Sequence, residues 1–160
     1  MLPSWQRLSG YLLACREAGI AADMALIRRV GVYAAAAAKS AVLDLLAAAE
    51  RPTALFTGDG TMSTGAMEAI RARGLDVPAE LSLVCFDDLD WMPFFGAGIT
   101  AASQPARMIG ATAAELLLRR IAGSAEPEQH VVVAVPLIER ATVAPPASRR
   151  PQPIAQRSPS

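Results

Sequence analysis

Three things that the sequence lacks limit what the protein can be. Its 15 lysines and arginines are balanced by 15 aspartates and glutamates, and without a surplus of positive charge there is no general attraction to nucleic acid or to an anionic membrane. No apolar run is long enough to span a bilayer. The start of the chain, MLPSWQRLSGYLL, lacks the basic end, apolar core and cleavage site of a signal peptide, so we expect a cytoplasmic protein without membrane contact.

Cysteine and histidine are also scarce, which bears on metal and catalytic sites. The two cysteines, Cys15 and Cys85, fall in a helical pattern and in a buried-strand pattern, as core thiols do. His130 is the single histidine, and it lies in an acidic, polar loop without a neighbouring serine or cysteine motif. We therefore expect no metal, no cofactor and no Ser-His-Asp or Cys-His chemistry.

The middle of the chain carries the strongest pattern that is present. A short apolar run over 53–57 ends at Gly58-Asp59-Gly60 and is followed by a helical pattern. A second apolar run, Leu81–Phe86, ends at Asp87-Asp88. Strand, glycine turn, helix and strand in this order predict a parallel βαβ unit. Because ligands of open parallel sheets bind at the carboxyl ends of the strands, we expect a site at Asp59 and Asp87.

Apolar periodicity and breaker residues predict further elements on both sides of this unit. Three more helices are predicted, over Ser4–Ala18, Ala34–Glu50 and Pro105–Ile121. Three more strands are predicted, over Ala25–Val30, Ile99–Ser103 and Val131–Ile138. We expect an α/β fold, an open, mostly parallel sheet with helices on both faces. Residues 144–160 are rich in proline, serine, alanine and arginine, so we expect a disordered tail there.

Two charged residues have more than one interpretation at this point. Arg7 lies near the start of the first helix, where a cation opposes the helix dipole. It is either a solvated surface arginine or a hydrogen-bond donor directed into a cleft. Asp88 comes directly before a turn predicted over Leu89–Phe95, where an aspartate can accept the free N–H groups of a helix start. We expect Asp87 to bind a ligand and Asp88 to be such a structural cap.

Four longer motifs follow one another in a characteristic order and spacing. They are PTALFTGDGTMSTGAMEAIRARGLDVPAELSLVCFDDLDW, ITAASQP, IGATAAELLLRRI and PLIERATVAPP. Together they resemble the second half of the sugar-sensing module of the lactose/galactose repressor (LacI/GalR) family, which is similar to periplasmic sugar-binding proteins. The resemblance covers about Arg7 to Pro146. It implies a type I periplasmic-binding-protein-like fold in which residues 1–143 form part of the effector-binding domain, mainly its second lobe.

The resemblance also implies which residues contact the effector. They are Arg7 in an Arg-x-x-Gly motif, Tyr33 after a glycine loop, Asp59 in the place of an Asn-Asp pair, Asp87 as the first of two aspartates, and Gln104 before a proline. In the family, the arginine contacts effector hydroxyls and the aromatic residue can stack on a sugar ring. Carboxylates, amides and arginine form directional hydrogen bonds to vicinal hydroxyls, while an aromatic ring covers the apolar face of a sugar. With the resemblance, the ligand-binding interpretation of Arg7 becomes the expected one.

The sequence departs from the family pattern in three respects. Asp59-Gly60 replaces Asn-Asp, and because an ionised aspartate only accepts hydrogen bonds, we expect a different effector preference. The run Ala34–Ala38 lacks the small polar residues and glycine of the family's effector-proximal helix. The helix-turn-helix domain, hinge helix and first lobe with which the family begins are not present, so we expect a truncated regulator.

These observations predict a sugar- or small-metabolite-sensing domain of a transcriptional regulator, which binds and does not catalyse. The resemblance implies a homodimer through the helices near Ala34 and Met62, and DNA binding only through a family domain that this chain lacks. The alternatives are a periplasmic-type solute-binding protein, against which the missing signal peptide argues, and a non-functional remnant. An enzyme or phospho-receiver using Asp87-Asp88 is disfavoured, because the single lysine, Lys39, lies on a helix and Gly58-Asp59-Gly60 is too short and acidic to hold phosphate.

Overall fold

The computed structural model describes residues 2–31 and 34–146, so Tyr33 and residues 147–160 of the predicted tail lie outside the described residues. One sheet contains four strands in the order β1-β2-β3-β4: Ala54–Thr57, Ser82–Phe86, Thr100–Ala102 and Leu137–Ile138. The first three strands pair in parallel, and β4 runs antiparallel to β3. The predicted open, mostly parallel sheet is confirmed.

Four α-helices occur among the described residues: α1 Leu2–Glu17, α2 Ala35–Ala47, α3 Gly60–Arg73 and α4 Ala106–Ile121. Helix α3 begins at the glycine turn and ends at Gly74, whose φ of 63° is left-handed and whose N–H bonds to the carbonyls of Ile70 and Arg71. Glycine takes this conformation without a Cβ clash, which is why the helix ends there.

The core lies between one face of the sheet and the helices α2 and α3. Leu83 and Cys85 of β2 are fully buried in it, together with Ala66 and Ala69 of α3. The strand predicted over Leu81–Phe86 is confirmed, and its residues on this face are covered by helices, whereas Val84 and Phe86 on the other face are only partly buried. Both cysteines of the chain are buried and unpaired, as predicted.

The segment that follows β4 is hydrogen-bonded to both β2 and β3. The Thr142 hydroxyl donates to the Leu83 carbonyl at 2.7 Å and accepts the Thr100 N–H at 2.8 Å. The Ser82 hydroxyl donates to the Ala144 carbonyl at 3.0 Å and accepts the Ala144 N–H at 3.1 Å. These bonds tie one late segment to β2 and to β3, and they satisfy polar groups that would otherwise be buried without partners.

The strand predicted over Ala25–Val30 is wrong. Met24–Leu26 forms a 3-10 helix instead, capped by Asp23, whose carboxylate accepts the Ala25 N–H at 2.8 Å. The side chain of Arg28 also donates to the Ala25 carbonyl. This local turn chemistry competes with strand pairing and here prevails over it.

The last predicted strand and the last predicted helix both form, the strand over fewer residues than predicted. Of the strand predicted over Val131–Ile138, only Leu137–Ile138 pairs with the sheet, opposite Ala102 and Ala101 of β3. The helix α4 forms as predicted, and its apolar face is exposed, with 60% of Leu117 and 73% of Ile121 accessible. Among the described helices, none is both long and apolar enough to cross a membrane.

Candidate effector site

Asp87 and Gln104 meet at the carboxyl end of the parallel strands. Asp87 directly follows β2 and has a left-handed φ of 73°, which is an unfavourable conformation for an L-residue, costing about 1–3 kcal/mol. Its N–H donates to the Ala102 carbonyl at 3.0 Å, which extends the pairing of β2 with β3. Gln104 lies just beyond β3 and donates a hydrogen bond from Nε2 to Oδ1 of Asp87. Two predicted site residues are therefore in direct contact.

An open hollow of about 480 Å³ lies beside this pair. It is lined by Asp87, Asp88, Gln104, Ala106, Ile109 and Gly110. The first three carry carboxylate and amide groups, and the last three are small or apolar residues from the first turns of α4. A few convergent polar groups on an otherwise apolar wall are typical of sites for small polar molecules.

Asp88 is not the helix cap that the sequence predicts. The turn after it contains a 3-10 helix, Met92–Phe94, whose first position is not capped by any side chain. Asp88 instead forms a two-pronged ion pair with Arg140, with both N–O distances at 2.8 Å. Each side chain is only 17% exposed, and the hydrogen bonds to Asp88 raise the pKa of Arg140. Asp88 is structural, as expected, but through a distant partner.

Arg140 is the residue that sequence reasoning missed. Its guanidinium also donates to the Ile99 carbonyl at 2.6 Å, and its backbone N–H donates to the Thr100 hydroxyl at 3.0 Å. Gly98 makes room for it: at its φ of +89°, a Cβ would lie 2.6 Å from Cδ of Arg140. A signal was present in the motif PLIERATVAPP, where an arginine follows a strand, but nothing local to that motif identifies its partner.

Arg7 reaches the same end of the sheet by a different contact. Its guanidinium carbon lies 4.4 Å from the ring centroid of Phe86, the last residue of β2, which is a cation–π contact. Within the described part of the chain, the guanidinium has no carbonyl or carboxylate acceptor. Arg7 is not one of the residues that line the hollow, and its effector role stays a prediction.

The side chain of Asp59 caps the helix that follows it. Its Oδ1 accepts the Met62 N–H at 2.7 Å and caps α3, an interaction that stabilises helix starts by about 0.5–2 kcal/mol. Its neighbour Gly60 is covered by Leu89, since a Cβ on Gly60 would lie 3.0 Å from Cδ1 of that leucine. Asp59 is not among the residues that line the hollow. Its effector role stays a prediction, and so does that of Tyr33, which lies outside the described residues.

A cluster of buried polar side chains lies at the end of β1. The hydroxyls of Thr57 and Ser63 are 2.7 Å apart, and Ser63 donates to the Asp59 carbonyl at 2.9 Å. Burial raises the pKa of the adjacent Cys85 thiol, although hydrogen bonds with Ser63 and Thr57 lower it in part. These three side chains satisfy one another inside the core. Among the residues described, no three histidines, cysteines or acids are grouped so that they could hold a metal ion.

Comparison with known proteins places this geometry in a family. Residues 3–143 match the periplasmic binding protein-like domain. The chain belongs to this family. The prediction of a periplasmic-binding-protein-like fold is confirmed.

The curated relatives of this periplasmic binding protein-like chain are regulators of transcription. It is 32% identical over 138 residues to the HTH-type transcriptional repressor PurR of Vibrio atlanticus, covering 86% of this chain and 41% of the relative. It is 36% identical over 137 residues to the HTH-type transcriptional regulator MalR of Clostridium butyricum, covering 86% and 40%. The chain thus spans about two-fifths of the length of these relatives.

Solved structures give the same result. The transcriptional regulator CelR in complex with cellobiose is 28% identical, with a TM-score of 0.77 over 85% of this chain and 41% of that one. A LacI-family regulatory protein from Chloroflexus aggregans is 34% identical, with a TM-score of 0.74 over 85% and 49%. The predicted resemblance to part of the sensing module of LacI-type regulators is confirmed, and the similar proteins are regulators rather than enzymes.

Proposed function

We propose that this chain is part of the effector-sensing domain of a transcriptional regulator and that the hollow beside Asp87 and Gln104 holds the effector. The observation that carries the proposal is the hydrogen-bonded pair of these two residues at the carboxyl end of the sheet. Ligands of open parallel sheets bind at this end. The site binds an effector and does not transform it.

The effector class that fits best is a sugar or another small molecule rich in hydroxyls. The carboxylate of Asp87 and the amide oxygen of Gln104 are hydrogen-bond acceptors. Arg7, whose guanidinium lies over the ring of Phe86, supplies hydrogen-bond donors. Acceptors and donors on two sides suit vicinal hydroxyl groups, each of which both donates and accepts. The cellobiose complex of CelR, at 28% identity, supports a saccharide.

The hypothesis of a transcriptional regulator is preferred over a periplasmic-type solute-binding protein or a non-functional remnant. All three share one fold, but the relatives named above are regulators of transcription. The same hypothesis implies a cytoplasmic protein, because a regulator acts where its DNA is. DNA binding then belongs to a helix-turn-helix domain outside this sequence, since the 15 positive and 15 negative residues leave the chain without net charge.

A homodimer is the expected assembly, formed through the starts of α2 and α3. These two helix ends lie side by side, with Gly65 against Ala35. Ala36, Ala37 and Ser40 on α2 are exposed, and small residues permit close approach of a second helix. Sedimentation of the full chain with and without Ala37→Arg tests this interface, because a bulky cation there should shift the dimer to monomer.

Calorimetric titration with neutral mono- and disaccharides, with cellobiose as the first probe, tests the proposed function. Asp87→Asn keeps the shape but removes the charge and one acceptor, so it should weaken binding about tenfold to over a hundredfold, with little change in melting temperature. Asp90→Asn, the same chemical change on an exposed residue of the next turn, is the control and should leave the affinity unchanged.

Three outcomes would contradict this proposal. The first is that no saccharide in the set binds the folded chain at millimolar concentration. The second is that Asp90→Asn and Asp87→Asn affect binding equally. The third is that Mg²⁺ binds through the two neighbouring acids while no sugar binds, since paired carboxylates at a strand end are also magnesium ligands.

A further inference from the structure

We propose that Arg140 is a positioning residue for the effector site: by holding both carboxylate oxygens of Asp88, it fixes the backbone that directs the Asp87 carboxylate toward Gln104. The inference rests on the proposed function and adds a residue that does not itself contact the effector. It starts from the geometry of one ion pair next to one strained residue.

The ion pair is rigid on both sides. Arg140 meets both oxygens of Asp88 at 2.8 Å and donates to the Ile99 carbonyl at 2.6 Å. Its backbone is held as well, since its N–H donates to the Thr100 hydroxyl at 3.0 Å and that hydroxyl donates to its carbonyl at 3.2 Å. A planar guanidinium bound at both prongs has little rotational freedom left.

Asp87 depends on this anchor because of its backbone conformation. Its φ of 73° lies in the left-handed region, which aspartate tolerates better than most residues other than glycine but which still costs energy that the surrounding structure must offset. On one side it is held by β2 and by its hydrogen bond to Ala102. On the other side the next residue is Asp88, so the Arg140 pair fixes the second end of the strained peptide.

The pair also separates the charges of two adjacent acids. Both oxygens of Asp88 are engaged by Arg140, whereas Asp87 contacts the neutral amide of Gln104. Only Asp87 therefore offers a carboxylate without a cationic partner to a molecule in the hollow. An effector hydroxyl can therefore bind Asp87, whereas Asp88 has a structural role in the ion pair with Arg140.

Labelling the glutamines of the full 160-residue chain with ¹⁵N provides the test, because the Gln104 side-chain amide reports the bond to Asp87. The chain has five glutamines, and Gln104→Glu assigns the signal. In the unmodified chain we expect this amide to be shifted from the position of free glutamine and slowed in exchange with water. Arg140→Gln adds a sixth glutamine, whose own signal is assigned in the double variant with Gln104→Glu, and in Arg140→Gln the Gln104 amide should move to the free position.

Thr142→Val is the matched control. It removes buried hydrogen bonds to Leu83 and Thr100 from the same segment, so it should lower stability as well while leaving the Gln104 amide signal in place. Asp88→Asn is a second variant in case Arg140→Gln does not fold. It keeps the size of the side chain and weakens the pair, and it should shift the same signal in the same direction.

Binding of cellobiose is the second measurement, made on folded variants. Arg140→Gln should weaken it about tenfold and Thr142→Val should not. If the Gln104 amide is unchanged in both Asp88→Asn and Arg140→Gln, or if Thr142→Val moves it equally, Arg140 is merely structural and the inference is overturned. If the unmodified chain binds no saccharide, the proposed function fails, while the amide signal still decides whether Arg140 positions Asp87.

Discussion

A Cβ atom on Gly65 of α3 would lie 2.3 Å from the backbone oxygen of Ala35 on α2. It would also lie 2.9 Å from Cβ of Ala38, so the two helices touch through atoms that no side-chain rotation can move. This contact packs α2 against α3 in the core that covers the sheet.

Gly65→Ala should therefore destabilise the protein, although alanine is the better helix former by about 1 kcal/mol. We expect a loss of about 1–3 kcal/mol in the free energy of unfolding, as is usual for overpacked cores. Urea denaturation measures it. Gly10→Ala in α1 is the control, since nothing lies within 4 Å of its added Cβ, and it should raise stability by about 0.4–1 kcal/mol. Equal effects of the two changes would contradict the close contact of α2 with α3.

We expect replacement of Asp59 to reduce stability through the loss of a helix cap, whether or not Asp59 also binds the effector. Asp59→Ala removes the acceptor for the Met62 N–H and should lower the free energy of unfolding by about 0.5–2 kcal/mol. Asp59→Asn should retain most of that stability, because asparagine caps helices as well as aspartate does. If Asp59→Asn leaves stability intact and still weakens sugar binding, Asp59 also contacts the effector, as the family resemblance predicts.

The thiol of Cys85 should make stability fall at alkaline pH. Burial raises its pKa above the ordinary value of 9.0, so the folded state holds the proton more tightly than the unfolded chain does. The contribution to stability is complete below pH 9.0 and is lost as the pH rises through the raised pKa. Thermal melting between neutral and alkaline pH should show a smaller decrease for Cys85→Ala than for the unmodified chain. Parallel pH profiles would contradict it.

The exposed face of α4 should cause self-association or poor solubility. Leu118 and Ile121 are 64% and 73% exposed, next to Leu117 at 60%, which is an apolar patch of the kind that marks a missing partner. Light scattering at tens of micromolar should detect species larger than a monomer. Leu118→Glu should reduce them, and Ala47→Glu, the same charge on an exposed position of α2, should not. A folded monomer at that concentration would contradict this prediction.

Sequence alone determined the local features of the fold. The bounds of α3 follow from the Asp59 cap and from Gly74, whose conformation only glycine adopts readily. Each is decided within one helical turn, by hydrogen bonds between residues that are near neighbours in the chain. The same holds for β1 and β2, whose apolar runs end at the acids, and parallel pairing then brings Asp87 and Gln104 to one edge of the sheet.

Tertiary structure decided what depends on a distant partner. Asp88 and Arg140 are 52 residues apart, and an aspartate before a turn gives no sign that it will pair instead of capping. Val131–Ile138 is rich in residues that favour strands, yet only its last two residues pair with β3. The periodicity of α4 predicts an apolar face correctly, but the packing of the whole molecule determines whether that face is covered. Local hydrogen bonds and propensities act between near neighbours and can be inferred from order, whereas ion pairs and burial depend on which distant segments meet.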